Sequence, residues 1–394
     1  MPVEQRPLTE ADLDQIWQLE LEAFHADPAD VERWKRWERA IGLDRMEGAF
    51  VDGHLVATAG VLGYAQWLGG RTVPMGGVRA VMTRTEHRGR GYATRVLRAC
   101  LEAMRRRGEV VSVLYPQLTR PYRAAGWEVA GTILFRQVAP RALRALPARD
   151  DVPVRRAGAG DHATIRACYD RVAPAMQGWL DRDDGRWEWI FERFADDYWF
   201  VAGDDGYLLY RVIDQPPATG PEGFRLLVLD FVAATGGAWL ALWKTLAATS
   251  SVVPTVYFRS GPSEPLLHAV DALDVGIVRE RPWMLRLVDA PAAVAARGYA
   301  DDVRASVPLE IADATCPWNA GRFTLVVADG RARLEPGGSG AIRLGIGALS
   351  SLYSGWARTA ALARTGLLAG GGPPERAALD RIFAAPLPWM IDEF

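Results

Sequence analysis

Apolar residues at Leu13, Ile16, Trp17, Leu19 and Phe24 recur at helical spacing behind Thr9-Glu10-Ala11-Asp12. Thr9 suits a cap and the acids suit the positive end of a helix dipole, so a helix is predicted there. Two short apolar runs at 48–51 and 55–59 are split by Asp52-Gly53, which predicts a hairpin with a primed turn. Residues 76–82 read as a further strand. Residues 92–107 read as a helix with Val96, Leu97, Cys100, Leu101 and Met104 on its apolar face, stopped by Gly108. Residues 110–115 read as a buried strand. Strand, glycine-rich turn, helix, strand is the order of an α/β crossover unit.

After a break at 140–153, rich in Arg, Pro and Ala, the pattern starts again. Arg155, Asp161 and Ile165 stand in 155–165 where Arg6, Asp12 and Ile16 stand in 6–16, and both segments lead into a helix. This predicts a degenerate internal duplication. The second copy has no Arg-x-x-Gly-x-Gly/Ala turn before a helix and is expected to bind no cofactor. From about residue 288 a third pattern begins, with strands at 304–312, 321–327 and 331–334 and short helices at 347–353 and 374–383. The last residues, 386–394, are apolar and aromatic where a solvated tail would be polar, so they are expected to pack against the chain. These breaks divide it into residues 1–145, 146–287 and 288–394.

A chain of 394 residues exceeds what one core usually organises, in line with several domains. Lys plus Arg number 46 against 48 Asp plus Glu, a net charge of -2 that argues against a general nucleic-acid binder. Lys35 and Lys244 are the only lysines, so the wealth of arginine reads as a compositional habit. The sequence has no apolar run of about eighteen residues, so no membrane span is expected. Its charged opening does not read as a signal peptide. Cys100, Cys168 and Cys316 are far apart, which fits a reducing cytoplasm and no disulfide frame, and the 5 histidines show no metal-ligand spacing.

The chemistry concentrates in His87-Arg88-Gly89-Arg90-Gly91-Tyr92-Ala93-Thr94, between a strand and a helix. Glycines let successive N–H groups converge and the helix adds its positive end, making a pyrophosphate cradle with Arg88 and Arg90 as extra charge. The same spacing also occurs in ordinary tight turns before helices. Arg88, Gly91 and Ala93 meet the pattern Arg-x-x-Gly-x-Gly/Ala, so the segment resembles motif A of the GNAT acetyltransferases. Residues 6–24 look like the first helix of that superfamily. With the duplication and the third region, the whole chain is similar to the enhanced intracellular survival (Eis) family. That resemblance implies an α/β fold of tandem GNAT-type mixed sheets plus a C-terminal α/β domain similar to sterol carrier proteins. It further implies acetyl-CoA as cofactor, an amino group of an aminoglycoside or a lysine side chain as acceptor, and assembly into hexamers.

In that family the cofactor is held by backbone of the strand before the turn, here Val81, Met82 and Thr83. The turn itself corresponds to Arg88, Gly89, Arg90, Gly91, Tyr92, Ala93 and Thr94, and backbone after the next strand to Gln117 and Leu118. The chain departs from its relatives there, with Pro116-Gln117-Leu118 where they carry small residues. Tyr122, within Pro121-Tyr122-Arg123-Ala124-Ala125-Gly126-Trp127, falls on the family's general acid. A phenol with a pKa of about 10 can protonate a leaving thiolate through a hydrogen bond already in place. Packing against the cofactor helix is the alternative role for Tyr122. Tyr115 competes as the acid, but it ends an apolar run and reads as core.

The family's base is the terminal α-carboxylate, here of Phe394. Its ordinary pKa of about 3.3 to 3.7 is low for a base; burial beside Trp389, Met390 and Ile391, with like-charged Asp392 and Glu393, would raise it. A tail that merely docks is the alternative. Phe24, Trp34 and Trp37 could wall an acceptor cleft, with Asp27 and Glu393 attracting a cationic amine, although Trp34 and Trp37 at a spacing of three also suit a helix core. A rival class of function is a non-enzymatic carrier of an apolar ligand with a vestigial turn. The retained Arg88, Gly91, Tyr122 and C-terminal carboxylate favour the enzyme.

Overall fold

The computed structural model describes residues 3–147, 152–215, 223–249 and 253–394. The first region opens with β1 (Val3–Pro7) and one 3-10 turn, after which the apolar stripe becomes α1 (Leu13–Phe24), with Leu13, Ile16, Trp17 and Leu19 buried. Asp12 fixes that start. Its carboxylate accepts from the Thr9 N–H at 2.8 Å and pairs with both terminal nitrogens of Arg6 at 2.7 and 2.8 Å. Next come α2 (Val31–Ile41), β2 (Met46–Val51) and β3 (His54–Leu68). Asp52 and Gly53, which join the two strands, have φ of 50° and 78°; two consecutive left-handed residues are what a type I′ turn requires. β4 (Arg71–Thr83), α3 (Tyr92–Arg107) and β5 (Val111–Leu114) form the expected crossover, with the two strands parallel. α4 (Thr119–Ala124) and β6 (Glu128–Val138) complete the region.

The expected break at 140–153 holds a short turn at Ala142–Ala145, and its residues 148–151 lie outside the described residues. The second region runs through β7 (Val154–Arg156), α5 (His162–Val172), β8 (Leu180–Asp181), α6 (Asp184–Arg193), β9 (Tyr198–Ala202) and β10 (Gly206–Gln215). It continues with β11 (Gly223–Ala233), α7 (Gly236–Ala247), β12 (Thr255–Ser260) and β13 (Val275–Leu287). Its opening repeats the chemistry of the first. Asp161 accepts from the Gly158 N–H at 2.9 Å and pairs with Arg155 at 2.8 and 2.5 Å, and a helix begins at once. β11 and β12 are parallel about α7, as β4 and β5 are about α3. The turn differs: Thr235 accepts from the Ala238 N–H at 3.3 Å, so the end of α7 is closed by its own chain.

One sheet carries both regions, in the order β1-β2-β3-β4-β5-β13-β6-β12-β11-β10-β9-β7, with β8 against β3. β13 lies between β5 and β6, and β6 lies between β13 and β12. Each region therefore lends its last strand to the other. The third region contains α8 (Ala290–Ala296), β14 (Ala305–Ala312), β15 (Gly321–Ala328), β16 (Arg331–Pro336), β17 (Ile342–Gly345), α9 (Ile346–Tyr353), α10 (Thr359–Arg364), β18 (Leu368–Gly370) and α11 (Pro373–Ile382). Its sheet has the order β16-β15-β14-β17-β18. Leu309, Leu325, Ile342 and Leu349 share one core with Val73, Val111 and Leu285 of the large sheet. Arg286 of β13 grips both oxygens of Asp313 at 2.9 and 2.7 Å, and both residues are buried. No described helix is long and apolar enough to cross a membrane, and no group of described residues could hold a metal ion.

The duplicated opening has a measurable signature. Hydrogen bonds from Arg6 pull the Asp12 carboxyl down to about 2, against the opposing push of burial. An unfolded aspartate titrates at about 3.9. The folded value is the lower one, so the stabilisation is complete above about pH 4 and is lost as pH falls through about 2. Asp12→Asn should melt below the parent at about pH 6, and the gap should close as the pH is lowered toward about 2. Thermal melts across that range check it; a gap that does not change with pH would contradict the ion pair.

Candidate active site

β4 and β5 pair at Met75↔Val111, Gly76↔Ser112 and Gly77↔Val113, yet β4 continues to Thr83 while β5 ends at Leu114. Beyond Gly77 the strands part, and among the described residues no strand bonds that side of β4. On its other side the pairing with β3 steps from Gly60↔Arg79 to Thr58↔Met82, which leaves Ala80 and Val81 without a rung. Ala80 has φ 48°, a left-handed conformation that a residue with a side chain adopts only when its surroundings impose it. Such a bulge bends the strand and re-aims the residues just beyond it, Val81, Met82 and Thr83. Met82 is buried; Val81 and Thr83 are half-buried.

The glycine turn begins directly after this strand. Glu22 of α1 accepts from the Thr85 N–H at 2.6 Å, and hydrogen bonding to Thr85 holds its carboxyl below the usual range. Gly89 and Gly91 have φ of 77° and 83°, and a Cβ at either would meet nothing within 4 Å. Conformation demands glycine there, and the space beside it is open. Gly91 is the N-cap of α3 with no side-chain cap, so the N–H groups of Tyr92, Ala93 and Thr94 are left for an outside acceptor. A groove of about 650 Å³ starts at Gly91 and runs along α3 past Thr94, Arg95 and Arg98 to Glu102, with Gln5 of β1 on its other side. Arg88 and Arg90 are part of the turn itself, and both are exposed. Uncapped donors, open glycine faces and arginines together suit a diphosphate.

Gln117 and Leu118 lie between β5 and α4, both exposed, Leu118 by 72%. Tyr122 on α4 meets Trp127 edge-on at 6.3 Å and packs on the same core, around Val96, Leu97 and Leu114, as Val81 and Tyr92. Strand, turn and α4 therefore converge. Burial pushes the Tyr122 phenol up, so it holds its proton at neutral pH. Tyr115 is committed elsewhere: its hydroxyl donates to the Asp392 carbonyl at 2.7 Å. All three cysteines are buried, and burial raises each thiol.

The C-terminal segment packs as its composition predicts. Trp389 donates its backbone N–H to the Gln177 carbonyl at 3.0 Å, and its ring stands edge-on to Trp179 at 5.1 Å. Met390 and Ile391 are buried. The Asp392 carboxylate, buried, accepts from Arg182 at 3.2 and 3.1 Å and from Arg186 at 3.3 and 3.0 Å. Arg182 in turn donates to Asp230 at 2.6 Å and to the Tyr207 hydroxyl at 3.3 Å. Burial alone would push the Asp392 carboxyl up, but Arg182 and Arg186 bring it below its ordinary value. Glu393 pairs with Arg281 and, at 2.7 Å, with Arg259. Both carboxylates expected to push on the chain end are thus paired with arginines, and Glu393 is not an unpaired charge for an amine. The Phe394 ring lies on Gly77, where a Cβ would come within 2.7 Å of it, flanked by Tyr64 at 5.4 Å and Tyr115 at 5.7 Å. Gly77↔Val113 is the last rung before the strands part. Phe394 sits at the apex of the fork.

Arg79 lies on the same face of β4 as Gly77, two residues on. It donates to both Glu38 oxygens at 2.8 and 2.5 Å and lies 4.6 Å from the Trp37 ring centre. Trp34 meets Trp17 at 5.1 Å. Trp34 packs against the core around Leu13, Ile16 and Leu19, as the spacing also allowed, whereas Trp37 and Phe24 are exposed by 38% and 50% and present their rings to solvent. Asp27 caps a turn through the Ala29 N–H at 2.9 Å. The sequence reading missed Glu20 on α1, whose carboxyl is driven to about 7 by burial and then by Glu38, against Arg79 and Trp34. Its one signal was a glutamate three residues after Trp17, inside the apolar stripe.

Comparison with known proteins bears on the same elements. Residues 4–130 match the acetyltransferase (GNAT) domain, residues 178–287 a second acetyltransferase (GNAT) domain, and residues 290–391 the sterol carrier protein domain. An uncharacterized N-acetyltransferase of Streptomyces avermitilis is 30% identical over 84% of each chain. The N-acetyltransferase Eis of Mycobacterium bovis is 30% identical over 80% of this chain and 79% of its own. The crystal structure of a GCN5-related N-acetyltransferase from Kribbella flavida, 32% identical, superposes with a TM-score of 0.88 over 100% of this chain and 98% of that one.

Proposed function

The chain belongs to the Eis-like GNAT N-acetyltransferases, and from that premise we propose that it transfers acetyl from acetyl-CoA directly to a primary amine. The observation that carries the reading is the fork: β4 and β5 part at Gly77↔Val113, with the glycine turn at one end and Phe394 at the apex. When bound, the cofactor supplies an activated thioester carbonyl. The turn at 88–94 would hold its pyrophosphate, with backbone of Val81, Met82 and Thr83 and of Gln117 and Leu118 along the rest. N–H groups of β4 beyond its last rung with β5 would steady the oxygen on which negative charge builds.

Tyr122 keeps its proton through burial, which suits it to protonate a departing thiolate. The Phe394 carboxylate would take the proton that the amine releases. Buried, high-pKa thiols make poor acyl carriers, which supports direct transfer over a cysteine-bound acyl intermediate. For the acceptor we propose an amine of the aminoglycoside or lysine type, entering along Phe24, Trp34 and Trp37. Glu20 supports a cationic acceptor, because a carboxyl held near 7 regains its charge beside an ammonium group. Exposed Ile277 and Val278 at the start of β13, with Leu273 exposed by 94%, support a homo-oligomer such as the family's hexamer.

Two variants test the cradle and the acid. Gly91→Val forces a β-branched residue to φ 83° and places methyl groups where the diphosphate would lie. Acetyl-CoA affinity should drop at least about tenfold, about 1.4 kcal/mol, with the fold kept. Calorimetry showing unchanged affinity would remove the turn from the cofactor site. Tyr122→Phe keeps the ring and should lower kcat by roughly 10² to 10⁴ with acetyl-CoA binding nearly unchanged. Steady-state thiol release against a panel of polyamines and aminoglycosides reads it, and a kcat within twofold of the parent would displace Tyr122 as the acid.

A further inference from the structure

The second GNAT-like region has no cofactor turn, yet it contributes most of the groups that hold the end of the chain. Gln177, Arg182, Arg186, Arg259 and Arg281 all belong to it. Arg259 donates to the Ile391 carbonyl at 3.1 Å, and Arg182 and Arg186 bracket Asp392. Arg186 grips further along than the others. Besides Asp392 it donates through Nη2 to the Glu393 carbonyl at 3.1 Å, the peptide oxygen next to Phe394. Its guanidinium lies 4.5 Å from the Trp189 ring centre and 6.0 Å from that of Tyr64, the ring that also packs on Phe394. Packed between two rings, it has little freedom to let the tail shift.

The charges point the same way. Four guanidiniums (Arg182, Arg186, Arg259, Arg281) pair with three carboxylates (Asp230, Asp392, Glu393), so every ion pair on the tail is made by an arginine of this region. We propose that the second GNAT-like region serves as the receptor for the C-terminal tail, and that Arg186 is a positioning residue for acetyl transfer, holding Phe394 at the fork. This rests on the acetyl-transfer reading above. A merely structural arginine would show itself in stability; a positioning one shows itself in turnover.

The test compares the full-length parent with Arg186→Met and Arg186→Lys. It measures kcat, KM for acetyl-CoA, melting temperature, and amide hydrogen exchange over residues 389–394. In Arg186→Met, kcat should fall at least about tenfold, with KM for acetyl-CoA within about twofold and the melting temperature close to the parent. Exchange over 389–394 should speed up by about tenfold or more. Arg186→Lys keeps the charge and should recover part of kcat and of the protection. A kcat that falls only in step with melting temperature and is not raised by lysine would overturn the positioning role. Unchanged exchange in Arg186→Met would overturn the receptor. If the parent releases no thiol with any amine, the acetyl-transfer reading fails by itself, and the exchange arm still decides whether the second region holds the tail.

Discussion

Asp392 is a carboxylate removed from water and held between two guanidiniums, and the placement of the candidate site depends on that burial. Desolvating such charges costs several kcal/mol per ion, recovered only where the geometry of pairing is met. Arg182 meets it twice, with Asp392 at 3.1 Å and Asp230 at 2.6 Å. Sliding the tail by one residue would carry the carboxylate up to about 3.5 Å along and strand buried charges. An apolar contact would tolerate that slip far better. The ion set therefore acts as a register pin, a role distinct from adding net stability.

Register matters because three regions meet at the last residue. The third region delivers the tail, the second holds it, and the first offers the fork on which the Phe394 ring rests. Strand exchange pairs the far side of the fork. β5 is a short strand, but β13 of the second region pairs with it from Leu287↔Val111 to Met284↔Leu114, while β4 leaves it after Gly77. An opening made by a departing strand inside an otherwise continuous sheet frees backbone donors over a short stretch without adding a long edge. The glycine turn depends on the same strand, since the bulge at Ala80 precedes Val81, Met82 and Thr83 and so re-aims the backbone that leads into it.

Much of this was legible in the chain. The stripe 13–24, the Asp52-Gly53 hairpin, the helix at 92–107 and the repeat of Arg6 and Asp12 as Arg155 and Asp161 are local patterns, and local patterns survive in sequence. The glycine turn was legible because positive φ and open backbone demand glycine in fixed places. The strand exchange was not, because the periodicity of β6 and β13 states that they are strands and says nothing of their neighbours. Asp392 read as a like-charged neighbour of the chain end, since its arginine partners lie about two hundred residues earlier. Tyr115 read as core and is also a tether of the tail. Glu20 was passed over, since its burial and its neighbour Glu38 on another helix do not show in the local pattern.

The claim that the end of the chain takes part in the chemistry is the one on which this picture turns. It is tested most directly by adding the same short neutral peptide either after Phe394 or before Met1. Turnover with acetyl-CoA and a responsive amine is measured in both, beside acetyl-CoA affinity and melting temperature. Extension after Phe394 converts its carboxylate to an amide, and catalytic geometry tolerates errors of about 1 Å poorly. Turnover should fall at least about tenfold in that protein alone, with affinity and melting temperature near the parent. Equal turnover in the two extended proteins would contradict a catalytic role for the Phe394 carboxylate.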